Sequence, residues 1–316
     1  MPRDGRSAHA SSEILHNWIG ADPKTLRLLE QVKRVAASSS TVLIRGESGT
    51  GKDLLAALLH YLSAGREEPL VKIDCASLPP ELVESELFGY ERGAFTGATQ
   101  MKRGRLEMAE AGTIVLDEVA ALSPAVQAKI LRALEERHCE RLGGGRAVAI
   151  EARIVALTST DLEHAVARHS FREDLYYRLN VIPLVIPPLR ERPADIRPLA
   201  LHFLKTLAET QGRAGMRLAP AALEALEGYS FPGNVRELRN LLERAVVYGA
   251  SPEVQPEDLP LTVGEGRARR PTLEERERAY IAEVLDAVRG KKSKAAEILG
   301  ISRKTLLEKR KRYGLD

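Results

Sequence analysis

The feature that most constrains the fold is the run Gly46-Glu47-Ser48-Gly49-Thr50-Gly51-Lys52, which has the G-x-x-x-x-G-K spacing of a Walker A phosphate-binding loop. Before it, Thr41-Val42-Leu43-Ile44 is a short apolar, β-branched run that reads as a buried strand. After it, Leu55, Leu58, Leu59 and Leu62 recur at helical spacing. A strand, a glycine-rich loop and a helix in that order predict an α/β fold around a P-loop. The glycines let the backbone turn tightly and present its N–H groups to phosphate oxygens, and the helix N-terminus adds the positive end of its dipole. Lys52 is placed to neutralise the β- and γ-phosphates. Asp53 stands where Ser or Thr usually holds Mg²⁺. The expected ligand is a nucleoside triphosphate, ATP, with Mg²⁺.

At 316 residues the chain is long enough for two or three domains. Charged residues make up 29% of it and the net charge is only +3, so overall charge specifies no partner. Cys75 and Cys139 form neither a disulfide framework nor a metal-binding spacing, which fits a reducing cytoplasm. The seven histidines are scattered, and none pairs with Cys or Glu at ligand spacing. No apolar run approaches the ~20 residues of a membrane span, and the N-terminus carries no apolar signal segment. The expectation is a soluble cytoplasmic protein with no membrane partner.

Residues 1–16 are polar and rich in small residues and read as a disordered leader. Trp18-Ile19-Gly20 begins ordered chain, and Asp22-Pro23 starts a helix with Leu26, Leu29, Val32, Lys33 and Ala36 marking one face. Strand-like runs at Val42–Ile44, Leu70–Ile73, Ile114–Leu116, Ile154–Leu157 and Val181–Ile186 alternate with helical ones. Five short buried strands separated by helices predict a parallel five-stranded sheet covered on both faces, with the ligand at the C-terminal strand ends.

The third strand ends in Asp117-Glu118, a Walker B signature when paired with the P-loop. Asp117 is expected to hold Mg²⁺ and Glu118 to polarise the attacking water. Thr158-Ser159, closing the fourth strand, is placed to sense the γ-phosphate, although short hydroxyls at strand ends also serve as turn formers. Beyond Pro187-Pro188, helices over Ile196–Gln211, Pro220–Gly228 and Val235–Tyr248 predict a small helical domain. Between the second and third strands, Gly93, Ala94, Gly97 and Ala98 bracket Phe95-Thr96. Such a segment forms either a mobile loop showing one aromatic ring to solvent or an ordinary turn with a buried Phe.

The hexapeptide Gly93-Ala94-Phe95-Thr96-Gly97-Ala98, GAFTGA, resembles the signature of bacterial enhancer-binding activators of sigma-54 RNA polymerase. GESGTGK at Gly46–Lys52, ELFG at Glu86–Gly89, LDE at Leu116–Glu118, FREDLYYRLNV at Phe171–Val181 and FPGNVREL at Phe231–Leu238 are similar to the same family, so the resemblance runs from about residue 17 to 316. It implies an AAA+ ATPase core with a helical lid, assembled as a homo-oligomeric ring, usually a hexamer, with ATP at each subunit interface. It implies further that Phe95 and Thr96 touch sigma-54 and move as ATP is hydrolysed. Arg172 and Arg178 match the family's trans-acting arginines, which reach a neighbour's γ-phosphate; pairing with Glu173 or Asp174 is the local alternative. Arg236 matches the second sensor. Three positions depart from the family pattern: Asp74 stands where Asn is thought to restrain the Walker B Glu, Ser159 where Asn is usual in the first sensor, and Asp53 where Glu is usual. An amide replaced by a carboxylate loses two donors and adds a negative charge near Glu118.

Gly264 to Pro271 is a polar, basic linker. Thr272-Leu273-Glu274-Glu275 reads as a helix start, and Tyr280, Ile281, Val284, Leu285 and Val288 as an amphipathic helix ending near Gly290. Lys294 to Leu306 then reads as a short helix, a turn at Gly300 and a Ser-capped second helix, a helix-turn-helix. It resembles the Fis-type domain of the same family. That likeness sends Ser302, Arg303, Lys304 and Thr305 into the major groove of enhancer DNA and Lys309, Arg310, Lys311 and Arg312 to phosphates. Leu307 and Glu308 depart from the usual Tyr-Arg.

The expected plan is therefore a leader (1–16), an AAA+ core (17–190), a helical lid (191–262), a linker (263–271) and a helix-turn-helix domain (272–316). The leading function is an ATP-hydrolysing activator that opens sigma-54 promoters. The alternatives are a DNA-binding regulator whose ring hydrolyses ATP poorly, suggested by Asp74 and Ser159, and a helicase-like motor, against which GAFTGA argues. With only about 16 residues ahead of ordered chain, against the ~50 a domain needs, control by a separate partner protein or constitutive activity is expected.

Overall fold

The computed structural model describes residues 18–249, 251–261, 277, 278, 280–282, 284, 285, 288 and 292–313, without the Lys311 side chain. These fall into two compact units, one ending at Leu261 and one beyond it. The leader, the linker and the Thr272 helix start lie outside the described residues.

In the first unit, α1 (Pro23–Ala36) leads to β1 (Val42–Arg45), α2 (Lys52–Tyr61), β2 (Leu70–Asp74) and α3 (Pro80–Phe88). A short ribbon of β3 (Gly89–Tyr90) and β4 (Lys102–Arg103) precedes α4 (Arg105–Met108) and β5 (Thr113–Asp117). Next come α5 (Pro124–Glu136), the hairpin of β6 (His138–Glu140) and β7 (Ala147–Ala149), then β8 (Arg153–Thr158), α6 (Leu162–Ala167), α7 (Glu173–Leu179) and β9 (Ile182–Val185). The lid holds α8 (Ile196–Thr210), β10 (Arg217–Leu218), α9 (Pro220–Glu227), α10 (Asn234–Tyr248) and β11 (Glu253–Val254).

The five predicted strands form one sheet in the order β2-β5-β8-β1-β9, parallel throughout. Alternation along each strand divides its side chains between two cores. Leu43, Ile114, Leu116, Ile154 and Ala156 pack on one face with α3, α5 and α7. Val42, Ile44, Val115, Val155 and Leu157 pack on the other with α1 and α2. Leu43 and Ile44 are completely buried, and truncating either to Ala costs about 2–5 kcal/mol. β9 departs from the expected full burial: Val185 is 60% exposed because this strand is an edge. Pro183, with no N–H to give a ladder, is tolerated for the same reason.

On α1 the buried face is Thr25, Leu28, Val32 and Ala36, and Leu26, expected on that face, is 48% exposed. Asp22 caps the helix by accepting the Lys24 N–H, with Pro23 at its first position. The lid has its own core around Phe231, Leu238, Leu242 and Leu226.

In the second unit, α11 (Lys292–Ile298) and α12 (Arg303–Tyr313) pack around Ile281, Val284, Ala295, Ala296 and Leu306. Gly300 turns the chain at φ +66°, and the Ile301 N–H reaches back to the Ala296 carbonyl at 3.1 Å. Ser302 Oγ caps α12 by accepting the Thr305 N–H at 3.0 Å. Tyr280, expected inside with Ile281, is 53% exposed.

Candidate functional site

The P-loop leaves β1, the strand between β8 and the β9 edge, and ends at the first turn of α2. Gly51 caps that helix at φ +106°, a conformation only glycine takes without strain. Lys52 is 8% exposed and folds back over the loop. Its Nζ donates to the Gly46 carbonyl at 2.9 Å and lies 3.3 Å from Glu118 Oε1. Gly49 is also in the left-handed region, and a Cβ there would stand 2.3 Å from the Gly233 carbonyl oxygen. That second constraint comes from the lid.

At the end of β5, Asp117 pairs in register with Asp74, and Glu118 takes a left-handed backbone at φ +51° that turns it towards Lys52. Glu118 Oε2 accepts both the Ser159 N–H and the Ser159 hydroxyl, each at 2.9 Å. Ser159 thus holds the Walker B glutamate. Thr158 is fully buried, and its hydroxyl closes a local turn with Thr160.

Asp74 is turned elsewhere. Its Oδ1 accepts the N–H groups of Ala76 and Ser77 at 2.9 and 3.1 Å. An ionised carboxylate can only accept, so it caps the turn after β2 and cannot offer Glu118 the donor an Asn would. Between Asp74 and Asp117, burial pushes the Cys75 thiol up to about 12, helped by the charges of Asp74, Asp117 and Glu118.

Lys72, exposed between buried Val71 and Ile73, reaches over the strand ends. Its Nζ lies 2.5 Å from Asp53 Oδ1 and 2.7 Å from Asp117 Oδ2. An ammonium stands where two carboxylates converge beside the P-loop, so Asp53 and Asp117 fit a cation. Among the described residues no group of three or more His, Cys, Asp or Glu could hold a metal ion, so nucleotide oxygens would have to complete a shell.

The lid binds the P-loop residue by residue. Asn234, fully buried at φ +53°, accepts the Leu189 N–H at 2.8 Å and donates to Ser48 O and Glu47 Oε2 at 3.1 Å. The Val235 N–H donates to Gly49 O at 3.0 Å, and Arg192 to Thr50 O at 2.9 Å. Arg190 forks onto the Glu47 carboxylate at 2.6 and 2.8 Å. Arg236, the expected second sensor, donates to Ser48 Oγ at 3.0 Å.

Sequence reasoning missed a cavity of about 330 Å³ between α2 and the lid, lined by Trp18, Ile19, Gly51, Leu54, Phe203 and Val235. Arg192 also lines it; its Nε and Trp18 Nε1 are buried donors without a hydrogen-bond partner. An apolar slot beside the P-loop with donors still to be met fits a nucleobase. Its lining comes from distant segments, so no local motif announces it.

Arg172 and Arg178 lie away from this P-loop. Arg172, 47% exposed, forks onto Asp174 at 2.7 and 3.1 Å and holds that carboxyl below its ordinary range. Arg178 donates to the Leu134 carbonyl at 3.0 Å. Within one chain the local pairing of Arg172 is what is seen.

The GAFTGA segment is a closed turn on the β3–β4 ribbon. The Gly93 N–H donates to Ala98 O at 2.8 Å, and the Ala98 N–H to Phe95 O at 3.0 Å, with Gly93 and Gly97 at φ +85° and +106°. Ala98 is buried, Thr96 is exposed, and Phe95 is 48% exposed with its ring edge-on to Tyr90 at 4.9 Å. The β6–β7 hairpin docks on this stem. The Glu91 N–H donates to Leu142 O and the Leu142 N–H to Gly89 O, both at 3.0 Å. Arg141 pairs with Glu91 at 2.7 Å and Glu107 at 2.9 Å. The triple glycine Gly143-Gly144-Gly145 between alternating segments was the signal that could have found this hairpin.

In the second unit Arg303 and Lys304 are exposed at the start of α12. Thr305 shares the Ser302 cap, Oγ to Oγ at 2.8 Å. Lys309 pairs with Glu277 at 2.7 Å, and Arg312 lies over the Tyr313 ring at 5.8 Å. The charge of Lys309 is therefore already partnered within the domain.

Residues 18–185 match the sigma-54 interaction domain, 190–276 the AAA+ ATPase lid domain and 272–313 the Fis family of bacterial regulatory proteins. The chain is 40% identical to the regulatory protein AtoC of Escherichia coli (strain K12), over all of this chain and 72% of AtoC. It is 44% identical to the nitrogen fixation protein AnfA of Azotobacter vinelandii, over 98% of this chain and 60% of AnfA. The crystal structure of NtrX from Brucella abortus in complex with ADP superposes with a TM-score of 0.73 at 35% identity, covering 94% of this chain and 68% of NtrX. P-loop, lid, GAFTGA loop and helix-turn-helix agree with these matches: the chain belongs to the sigma-54-dependent enhancer-binding activators, with an AAA+ domain and a Fis-type DNA-binding domain.

Proposed function

We propose that this chain hydrolyses ATP and uses the cycle to drive its GAFTGA loop against sigma-54 RNA polymerase while its helix-turn-helix holds enhancer DNA. The observation that carries this reading is the convergence of Lys52, Asp117, Glu118 and the lid's Arg236 around one P-loop. Lys52 neutralises the terminal phosphates, and Arg236, already on Ser48, reads them from the lid. Asp117 and Asp53 would hold Mg²⁺, which would supply charge neutralisation for the triphosphate. Glu118, once freed from Ser159, orients the attacking water. The nucleobase fills the slot beside Trp18.

Arg172 and Arg178 are exposed at the rim of the core, where a neighbouring subunit in a ring, a hexamer by family habit, would present its γ-phosphate to them. Phe95 and Thr96 contact sigma-54, and the hairpin tied to their stem by Arg141 moves with them. Arg303 and Lys304 enter the major groove, with Ser302 and Thr305 framing the helix start; Arg310, Lys311 and Arg312 hold phosphates. Such work belongs in the cytoplasm; among the described residues no helix is long and apolar enough to cross a membrane.

The test is phosphate release by the purified chain with ATP and Mg²⁺. Turnover that disappears in Glu118→Gln while nucleotide binding persists is expected. Its absence from the wild type at every protein concentration would contradict the motor. It would favour a DNA-binding regulator with a silent ATPase, the reading that the grip of Ser159 on Glu118 supports.

A further inference from the structure

We propose that Lys72 is a built-in counter-ion of the divalent-cation position. Its ammonium joins Asp53 to Asp117, and a metal arriving with nucleotide has to displace it. The proposal rests on the reading that Asp53 and Asp117 hold Mg²⁺.

The geometry makes the two cations exclusive. Lys72 Nζ is 2.5 Å from Asp53 Oδ1 and 2.7 Å from Asp117 Oδ2, and Mg²⁺ takes oxygen ligands at about 2.0–2.1 Å. Both cannot lie between the same oxygens. Asp117 is only 14% exposed and cannot turn away to serve both, whereas Lys72 is 42% exposed on an edge strand and free to swing into water. Asp53 is what makes the cradle two-sided. A Ser or Thr there would leave Lys72 one carboxylate, and the ammonium would be held less tightly. Lys72 also offsets part of the negative charge that Asp53 of α2 and Asp74, Asp117 and Glu118 at the strand ends bring together. Metal alone then gains little by entering, and metal already on a triphosphate gains the phosphate contacts of the P-loop as well. The device favours the loaded nucleotide over the free ion.

The experiment is a Mg²⁺ titration of the full chain with a fluorescent non-hydrolysable ATP analogue, read by anisotropy after chelator treatment. Lys72→Met keeps the aliphatic stem and removes the charge; Lys72→Gln is the second variant, and thermal melts confirm folding. The half-saturating Mg²⁺ concentration is expected to fall about threefold to fivefold in both, the scale of a partly exposed ion pair, and to stay near wild type in Lys72→Arg. An unchanged half-point in Met and Gln variants overturns the proposal alone. A raised one also overturns it, because Lys72 would then be a phosphate contact. A wild type whose analogue binding ignores Mg²⁺ overturns the metal-site reading and the proposal together.

Discussion

Ser159 grips Glu118 twice, through its backbone N–H and its hydroxyl, both at 2.9 Å to the same carboxylate oxygen. The other oxygen lies 3.3 Å from Lys52. Both carboxylate oxygens of the residue expected to act on water are therefore engaged. Ser159→Ala removes one of these hydrogen bonds and leaves the backbone one. We expect basal ATP turnover to rise about twofold to tenfold, the size of a single net hydrogen bond of roughly 1 kcal/mol, with nucleotide affinity changed less. A fall in turnover would show that the hydroxyl positions Glu118 for reaction and does not restrain it.

From a fully buried side chain at φ +53°, Asn234 ties the lid to the P-loop with two hydrogen bonds, to Glu47 and Ser48, and holds the Leu189 N–H with a third. Asn234→Ala strands the Leu189 N–H and puts a β-carbon residue without a compensating bond in the left-handed region. The expected loss is about 2–3 kcal/mol, seen as a lower denaturation midpoint, together with weaker nucleotide binding. Asn234→Gly, which relieves the backbone but not the bonds, is expected to fall in between.

Burial holds the Cys75 thiol up to about 12 and the Cys139 thiol up to about 11, with nearby carboxylates adding to both. An unfolded cysteine titrates near about 8.5. Both folded values are raised, so the protonated thiols contribute stability that is fully present below about pH 8.5. That stability is lost as pH rises through 11 and 12. At pH 9 iodoacetamide is expected to leave both thiols unmodified in the native chain and to alkylate both in denaturant, read by mass spectrometry. Rapid native labelling of Cys75 would contradict its packing beneath the strand ends.

Trp18 is the only tryptophan in the chain and lines the slot assigned to the nucleobase, its Nε1 without a partner. Adding ATP to Glu118→Gln protein is expected to change the intensity or emission maximum of intrinsic fluorescence, saturating with binding. Trp18→Phe keeps an aromatic ring but loses the indole N–H, and weaker nucleotide affinity should follow. No spectral change at saturating nucleotide would place the base elsewhere.

Much of the nucleotide site was legible in the sequence because its parts are local. A P-loop is a strand, three glycines and a helix start within a few residues, and Asp117-Glu118 follows directly from a buried strand. All five strands were found because each is a short apolar run between turns. What local reading missed is what pairs distant segments. Nothing near Trp18 points to Phe203 or Val235, and nothing near Lys72 in the sequence points to Asp53 or Asp117, beside which the fold sets it. Asp74, which stands where the family has an amide, turns its carboxylate to the N–H groups ahead of it. Leu26 and Tyr280 were placed on buried faces by spacing, but helical spacing does not say which of two adjacent stripes meets the core.

The central claim is that hydrolysis is spent on moving the GAFTGA loop. It is tested most directly by open-complex formation at a sigma-54 promoter, with purified chain, ATP and polymerase, comparing wild type with Thr96→Ala. Thr96 is exposed at the tip of the turn, so its replacement should leave the fold and ATP turnover intact. The account predicts promoter opening by the wild type and its loss in Thr96→Ala while phosphate release continues. Opening that survives the substitution, or a wild type that binds DNA and releases phosphate without opening the promoter, would contradict it.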